Sequence, residues 1–310
     1  MKFVCLSDIH LIEKNPGCRK DNLVEEQFKK LSFIFDYAKK NNCRILQAGD
    51  FFDKPRSYFL LVRLFEMNMP QIISVPGQHD MYNRNLMYNN FDILSKTGYI
   101  NYCGGGNDIE FENIVIKGCP YGAELPKPSQ NTKNILVIHA PIRDEELYPG
   151  HIYTDAHKFL VENKFDLIVC GDMHKKFYSD YGGRYIVNSG CMNRTKRDLY
   201  DHSPGFWVFD FDKTQLEWIE IPHESSEKAI DMFTEIEDRT DIDFSISAKN
   251  ISCSGIDVVK NLIDLIKKMK IKKRVLKVID NTIKKSESGK IDGWNDFINE
   301  WKKMNENSED

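Results

Sequence analysis

At 310 residues, with 41% hydrophobic and 12% aromatic side chains, the chain is long enough for one large domain and a smaller one. Its formal net charge of −4 excludes a global attraction to nucleic acid, so any phosphate-binding surface has to be local. Eight scattered cysteines without a C-x-x-C pair exclude a zinc knuckle and a disulfide framework, and predict reduced thiols and a cytoplasmic location.

The amino terminus leads directly into an apolar segment, residues 2 to 7, which we interpret as a strand. We therefore expect no signal peptide, and because no apolar run approaches membrane-spanning length, no membrane association. Asp8 and His10 follow this strand two positions apart. Side chains at i and i+2 of an extended strand share a face, so this pair can bind one metal ion. An aspartate that only caps a loop is the alternative.

The next elements predict a β-α-β unit. Asp21 resembles an N-cap, and apolar residues recur at helical spacing from residue 24 to residue 38. The strand of residues 45 to 48 then breaks at Gly49 and delivers Asp50 at the carboxyl edge of a sheet, where open α/β proteins place their ligand sites. We predict that Asp50 is a carboxylate shared by two metal ions.

A third strand, residues 72 to 75, precedes the sequence Gly77, Gln78, His79 and Asp80. Gln78 can offer its amide oxygen to a metal, and His79 can move a proton near neutral pH. Asp80 can hold the His79 ring by a hydrogen bond. Taken alone, a His-Asp pair in a loop is more often structural than catalytic.

Two further strands end in metal-type side chains. Residues 135 to 138 lead to His139, and residues 165 to 170, which follow a helix predicted over 154 to 162, lead to Asp172 and His174. The three glycines at 104 to 106 lack a strand-glycine-helix context, so we interpret them as a hairpin turn rather than a phosphate-binding loop.

The carboxyl-terminal part of the chain changes in composition. A hairpin over residues 206 to 221 closes a main domain of residues 1–222. Residues 223–285 are predicted to form a small α+β accessory domain with strands at 242–253 and 274–280 and a helix at 256–270. Residues 286–310 are predicted as a linker and a short helix with an aromatic stripe, which either packs on its own domain or docks a partner protein.

The motifs occur in the order D-x-H, G-D-x-x-D, G-Q-H-D, H and G-D-x-H, each after an apolar strand. This order resembles the calcineurin-like metallophosphoesterase superfamily, with the pattern D-x-H, G-D-x-x-D, G-N-H-[DE], H, G-H-x-H. The resemblance covers residues 8 to 174. It implies an α/β fold, a four-layer α/β/β/α sandwich with a two-metal site at one edge, here followed by the small α+β accessory region.

Within that superfamily the chain is most similar to the SbcD-type nuclease subunits of DNA break repair. The similarity lies in Arg19 and Asp21 after the first motif, in residues 49 to 53, and in residues 188 to 190 followed by Arg194. Residues 204 to 208 and 219 to 222 resemble the closing strands of that branch.

Carried over residue by residue, the resemblance implies two divalent metal ions, manganese or else magnesium. It assigns one ion to Asp8, His10, Asp50 and His174 and the other to Asp50, Gln78, His139 and Asp172. Two such ions can clamp a phosphodiester, lower the pKa of a bridging water and stabilise the leaving oxygen. The catalytic residues would be His79, as general acid or phosphate ligand, and Asp80, which would orient it.

Two positions depart from the superfamily pattern. Gln78 stands where the pattern has asparagine and adds a methylene, and Asp172 stands where it has histidine and replaces a nitrogen donor with an anionic oxygen. The ligands then include three carboxylates, a harder site that favours manganese or magnesium over zinc. The alternative is a decayed site, although both replacements can still bind a metal.

Three functions remain open from the sequence. The first is a manganese-dependent DNA exo- or endonuclease subunit that acts with an SMC-like ATPase, with homodimerisation left open. The second is a phosphodiesterase or phosphatase for nucleotides or other small molecules. The third is a non-catalytic adaptor whose degenerate metal site only stabilises the fold.

Overall fold

The computed structural model describes residues 1–82, 85–146 and 153–232. In chain order its elements are β1 (Lys2–Leu6), α1 (Leu23–Lys40), β2 (Cys43–Ala48), α2 (Tyr58–Glu66), β3 (Ile72–Val75), α3 (Asn90–Lys96), β4 (Ile100–Tyr102), β5 (Ile109–Phe111), β6 (Ile114–Cys119), β7 (Lys133–His139), β8 (Ile142–Arg143), β9 (Thr154–Asp155), α4 (Ala156–Glu162), β10 (Leu167–Gly171), β11 (Phe177–Tyr181), β12 (Arg184–Asn188), β13 (Gly205–Asp210), β14 (Gln215–Glu220) and α5 (Ser226–Ala229).

Most strands belong to two six-stranded sheets. The first has the order β14-β13-β1-β2-β3-β4, in which β1 to β4 are parallel and β13 and β14 form an antiparallel hairpin at one edge. The second has the order β11-β12-β10-β7-β6-β5, with four parallel central strands and an antiparallel strand at each edge. Parallel neighbours bring the carboxyl ends of their strands to one edge of each sheet, where ligand sites form.

Three apolar clusters define four layers. In the first cluster, Leu31 of α1 and Ile45 of β2 are buried between the amino-terminal helices and the first sheet. In the second, Leu46 of β2 and Val169 of β10 are buried between the two sheets. In the third, Leu160 of α4 packs on the outer face of the second sheet. Consecutive residues on a strand face opposite ways, so a continuous apolar strand supplies both clusters beside it. The predicted α/β/β/α sandwich is confirmed.

Two helices begin later than predicted. Asn22, and not Asp21, is the N-cap of α1, because the Asp21 carboxylate accepts two hydrogen bonds from the Arg19 guanidinium, at 2.7 and 2.6 Å. The helix predicted from residue 154 begins at Ala156, because the two preceding residues pair with β8 as the short strand β9.

Residues 224 to 231 pack against loops of the main domain. The Arg194 guanidinium donates to the Glu224 carbonyl oxygen and the Ser226 hydroxyl, and Arg197 Nε donates to the Asp231 carbonyl oxygen at 2.8 Å. The predicted boundary after residue 222 stays a prediction. The predicted elements at 242–280 and the segment 286–310 lie outside the described residues.

Among the helices of the described ranges, none is long and apolar enough to cross a membrane. The seven cysteines in these ranges are unpaired, and six of them are buried.

Candidate metal centre

The loops that follow β1 and β2 hold each other by backbone hydrogen bonds. Asp8 N donates to Gly49 O at 3.2 Å, and His10 N donates to Asp50 O at 3.0 Å. One residue further on, Leu11 N donates to Phe51 O at 3.0 Å. The parallel pairing of the two strands therefore continues past their ends, and it fixes the backbone of the first two motifs.

The predicted extended geometry of the D-x-H motifs is wrong. Four residues of the site have a left-handed backbone: Asp8 with φ +44°, His10 with φ +46°, Asp50 with φ +52° and Asp172 with φ +92°. This conformation costs about 1 to 3 kcal/mol at each non-glycine residue, and it persists only where the surroundings impose it. The side chains of Asp8 and His10 thus converge through turns, and not through the alternation of a strand.

Two glycines leave room for the central side chains. A Cβ at Gly77 would overlap the carboxylate and the amide nitrogen of Asp50, and a Cβ at Gly49 would overlap the His139 imidazole. Gly49 also has φ +85°, a conformation that glycine adopts without strain. Glycine at these positions permits the close approach of the motif loops.

Two residues of the second sheet reach across to the first. His139, at the end of β7, donates from Nδ1 to the Ala48 carbonyl oxygen at 2.7 Å. The Asp172 amide, directly after β10, donates to Asp8 Oδ1 at 3.0 Å and to Oδ2 at 3.2 Å. Because a carbonyl oxygen can only accept, the His139 proton is on Nδ1, which leaves the Nε2 lone pair for a metal.

Gln78 and Asp172, the two residues that depart from the superfamily pattern, contact each other. Gln78 Nε2 donates to Asp172 Oδ1 at 2.9 Å. This hydrogen bond orients the amide of Gln78, so that Oε1, the atom that can ligate a metal, is left without a protein partner.

The seven predicted ligand residues lie together. Asp8, His10 and His174 offer ligand atoms within 4.8 Å of one another, as do Asp8, Asp50 and His139. His10 Nε2 lies 3.7 Å from Asp50 Oδ2. His139 Nε2 lies 3.4 Å from Asp50 Oδ2 and 3.8 Å from Asp172 Oδ1. The hydrogen bond from Gln78 to Asp172 adds the seventh residue to the set. Their division between two ions stays a prediction.

Burial dominates the electrostatics of this cluster. Burial raises the pKa of Asp8 well above its ordinary value, while the His139 imidazole acts in the opposite direction. Burial lowers the pKa of His10 to about 3. At Asp50 burial acts to raise the pKa, but the neighbouring His139 imidazole lowers it to about 2. Since protons and metal ions compete for these donors, metal affinity should rise with pH.

The donor set fits a pair of divalent metals. Among the described residues, four buried atoms of this set have no hydrogen-bond partner: His10 Nδ1, His10 Nε2, His139 Nε2 and Gln78 Oε1. Buried polar atoms are rarely left unpartnered in folded proteins, and all four belong to residues that the family resemblance assigns to a metal. This mixed set of carboxylate oxygen, amide oxygen and imidazole nitrogen suits Mn²⁺ or Mg²⁺, and it can also bind Zn²⁺.

His79 lies beside the cluster, with a ligand-type atom within 4.8 Å of His10 and Asp50. Its Nδ1 is 2.9 Å from the Asp53 carbonyl oxygen, and its backbone amide donates to Asp50 Oδ1 at 2.9 Å. The G-D-x-x-D loop thus holds the ring of His79, and Nε2 remains available to contact a substrate.

The predicted hydrogen bond in which the Asp80 carboxylate accepts from the His79 ring is wrong. The Asp80 carboxylate is completely buried and accepts hydrogen bonds from the amides of Phe51, Phe52 and Gly77, at 3.0 to 3.1 Å. Three backbone donors occupy the carboxylate, which ties the loop after β2 to the loop after β3. Burial, helped by the nearby Asp50 charge, raises the pKa of Asp80 to about 7. Its catalytic role stays a prediction, and its contacts are those of a loop support.

The sequence prediction left out two supports of the site. Asp53 holds His79 through its carbonyl, and its carboxylate lies 3.8 Å from His10 Nδ1. The second aspartate of G-D-x-x-D was the available signal. The turn after β12 supports the Asp8 backbone, because Met192 N donates to Asp8 O at 3.1 Å and Asn193 Nδ2 donates to Ile9 O at 3.1 Å. No periodicity or motif in the sequence indicates that contact.

The solved structures that resemble this chain share little sequence with it. An archaeal phosphodiesterase is 12% identical, covers 71% of this chain and 100% of its own, and has a TM-score of 0.42. Vps29 of Entamoeba histolytica, solved with zinc, is 12% identical, covers 71% of this chain and 99% of its own, and has a TM-score of 0.36. No curated protein matches the sequence. A family model described as calcineurin-like phosphoesterase matches residues 1–176, the segment that contains every motif of the site, and the chain therefore belongs to the calcineurin-like phosphoesterase family.

Proposed function

We propose that this protein is the nuclease subunit of a DNA-processing complex, a manganese-dependent phosphodiesterase that cleaves DNA together with an SMC-like ATPase. The observation that supports hydrolysis is the convergence of seven ligand-type side chains beside His79, with four of their buried polar atoms left without a partner among the described residues. The similarity to SbcD-type subunits supports DNA as the substrate.

The residues of that similarity are also in contact. Arg19 pairs with Asp21, and Arg19 Nη1 donates to the Arg194 carbonyl oxygen at 3.2 Å. Arg194 is only 2% exposed and belongs to the turn region that supports the Asp8 backbone. These residues therefore support the loops that carry the site, and no contact between them and the ligand cluster is found among the described residues.

Asp8, His10, Asp50 and His174 would hold one ion, and Asp50, Gln78, His139 and Asp172 the other. When bound, the ions supply positive charge for the phosphate, acidify a water and neutralise the leaving oxygen. His79 Nε2 would donate a proton or a hydrogen bond to the substrate, and the Asp53 carbonyl would keep the ring in place by accepting from Nδ1.

Charge at the rim of the site suits an anionic substrate. Burial raises the pKa of Asp53, whereas His79, Lys54 and Lys196 act to lower it, so two lysines lie within electrostatic reach of this loop. Two lysines within reach of this loop supply the kind of local positive charge that an overall acidic chain requires to attract a phosphate.

The test is degradation of linear duplex DNA by chelator-treated protein reloaded with Mn²⁺, Mg²⁺ or Zn²⁺. We expect nucleotide release with Mn²⁺, and a loss of about 100- to 10,000-fold in His79→Ala. His157→Ala is the matched control, since His157 is exposed and bonds to Ser179 on β11, away from the cluster.

A panel of model esters separates the alternatives. Fast hydrolysis of nucleotides or small diesters without action on any form of DNA, with or without an ATPase partner, would identify a small-molecule phosphodiesterase and contradict the nuclease proposal. Binding of less than one metal ion per chain at saturating Mn²⁺ would identify a non-catalytic adaptor.

A further inference from the structure

Arg143 is a buried cation on the second-sheet side of the metal centre, and one of its nitrogens has no partner among the described residues. It ends the short strand β8, four residues after His139, and only 3% of its surface is exposed. Its Nη1 atom is buried and has no hydrogen-bond partner. Within the described ranges no carboxylate lies within ion-pair distance of its guanidinium.

Such an arrangement is costly unless a ligand completes it. Burying a charged group without compensating contacts costs more free energy than burying an unpaired neutral polar group, which is itself unfavourable. Burial lowers the pKa of Arg143, and the carboxylates of Asp144, Glu145 and Asp172 act to raise it. The guanidinium thus lies within the field of Asp172, a residue of the candidate metal centre.

The charge balance of the centre indicates what that ligand is. Two divalent ions would bring four positive charges against the three carboxylates of Asp8, Asp50 and Asp172, so about one net positive charge would remain for a phosphodiester. The buried guanidinium of Arg143, within electrostatic reach of Asp172, adds a second. Arginine is also the side chain whose planar donors match two oxygens of a phosphate.

We propose that Arg143 binds a phosphate group of the substrate on the second-sheet side of the metal centre. This inference rests on the proposed phosphodiester chemistry, but the binding itself requires no turnover. The phosphate is either the one that reacts or its neighbour along a nucleic-acid chain. The competing explanation is that Arg143 only balances the nearby carboxylates from a distance.

The experiment measures the affinity of the Mn²⁺-loaded full chain for inorganic phosphate by calorimetry. We expect Arg143→Gln to weaken phosphate binding about tenfold, and Arg143→Lys, which keeps the charge but loses the planar fork, about threefold. The stoichiometry and affinity of Mn²⁺ should change less than twofold. Arg184→Gln is the matched control, because the Arg184 guanidinium donates to the carbonyls of Leu160 and Asn163.

Two results would overturn the inference. The first is phosphate affinity within twofold of wild type in both Arg143 variants, and the second is a loss of Mn²⁺ that parallels the loss of phosphate, which would make Arg143 a support for Asp172. If the glutamine variant fails to fold, the lysine variant alone decides by the same criteria.

Kinetics separate the two sources of phosphate. A raised KM for both bis(p-nitrophenyl) phosphate and an oligonucleotide assigns Arg143 to the reacting phosphate, and a raised KM for the oligonucleotide alone assigns it to the neighbouring one. Arg143-dependent phosphate binding in a protein that cleaves no DNA would reject the nuclease proposal and retain the phosphate site.

Discussion

The two sheets contribute to the metal centre in different ways. On the first sheet, Asp8, His10 and Asp50 are buried and their backbones are held by hydrogen bonds between neighbouring loops. On the second sheet, Asp172 and His174 are half-buried; His139 is tied to the first sheet by its contact with Ala48, and Asp172 by its contacts with Asp8 and Gln78. The first half of the site is therefore preformed by the main chain, whereas the second is assembled across the gap between the sheets.

This difference explains where the chain departs from the superfamily pattern. Gln78 and Asp172 meet at the seam between the two halves and hydrogen-bond to each other. Where the two halves meet through side chains alone, a change in one side chain can be compensated by a change in the side chain that it contacts. We expect Asp8, His10 and Asp50 to be intolerant of substitution, and Gln78 and Asp172, which meet between the halves, to be tunable.

The largest effect is expected at Asp50, the carboxylate that belongs to both halves. Asp50→Asn keeps the size of the side chain and tolerates the left-handed backbone, but it removes the charge shared by the two ions. We expect loss of metal binding on both sides and a fall in hydrolysis of about 1,000-fold or more. Metal analysis and ester hydrolysis measure this, with Asp36→Asn on the exposed face of α1 as the control. Retention of one tightly bound ion would show that the halves are independent.

Gly171 tests whether the seam depends on close contact between the sheets. A Cβ at this position would overlap the Ala48 carbonyl oxygen and approach His139 Nδ1. We expect Gly171→Ala to lower the free energy of unfolding by about 3 kcal/mol and to weaken metal binding on the second-sheet side. Gly182→Ala, in an open turn with φ +58°, should cost only about 1 kcal/mol. Equal costs in denaturant unfolding would contradict a crowded seam.

His202 tests the acid sensitivity of the second-sheet side. It is buried, its ring and the His174 carbonyl oxygen both lie next to Gly190, and its Nε2 donates to the Cys191 carbonyl oxygen at 2.6 Å. Burial lowers its pKa to about 4, below the value of about 6.5 expected in the unfolded chain. The unfolded state therefore binds the proton first, and stability is lost as the pH falls through the range from about 6.5 to 4.

Between pH 7.5 and pH 5 this histidine should account for a loss of about 2 kcal/mol in the free energy of unfolding. Other groups titrate in the same range, so the measured quantity is the difference between wild type and His202→Asn at the two pH values. An identical pH dependence in both proteins would remove His202 as the cause.

The smallest effect, and the sharpest test of a paired change, concerns Gln78 and Asp172. Asp172→His should shift metal preference from manganese towards zinc without destroying activity, because a nitrogen donor replaces an anionic oxygen. Gln78→Asn should weaken binding of the metal ion assigned to Gln78, His139 and Asp172, because the shorter side chain loses its contact with Asp172. We expect the double variant to recover about fivefold over the product of the single effects, a coupling of about 1 kcal/mol. Multiplicative effects in metal titrations would show that the two residues act separately.

The sequence predicted the order of the strands and the side chains at their ends, because apolar runs that stop at Gly-Asp or at His are local features. It did not predict the left-handed turns, because a backbone conformation at Asp8 or His10 is imposed by hydrogen bonds from residues about forty positions away. It missed α3 and β4, which lie in a segment without a clear apolar period. The bond between Gln78 and Asp172 joins residues 94 positions apart, which no local pattern can indicate.

The error at Asp80 has a simple physical origin. A motif in which aspartate follows histidine suggests that the carboxylate orients the ring, but a buried carboxylate binds whichever donors are closest. Three backbone amides at the junction of two loops satisfy Asp80 more completely than one imidazole would. The ring of His79 finds its acceptor on Asp53 instead.

The left-handed turns at Asp8, His10, Asp50 and Asp172 restrict which amino acids can replace these residues during evolution. Glycine, asparagine, aspartate and histidine tolerate this backbone best, and β-branched residues tolerate it least. A lineage that lost the enzymatic reaction would still be selected, through folding alone, to keep small polar residues at these four sites. The persistence of such residues among homologues is therefore not sufficient proof of turnover. His139 and His174 do not have a left-handed backbone, so a lineage that lost the reaction could replace them freely, and their replacement would indicate that activity has been lost.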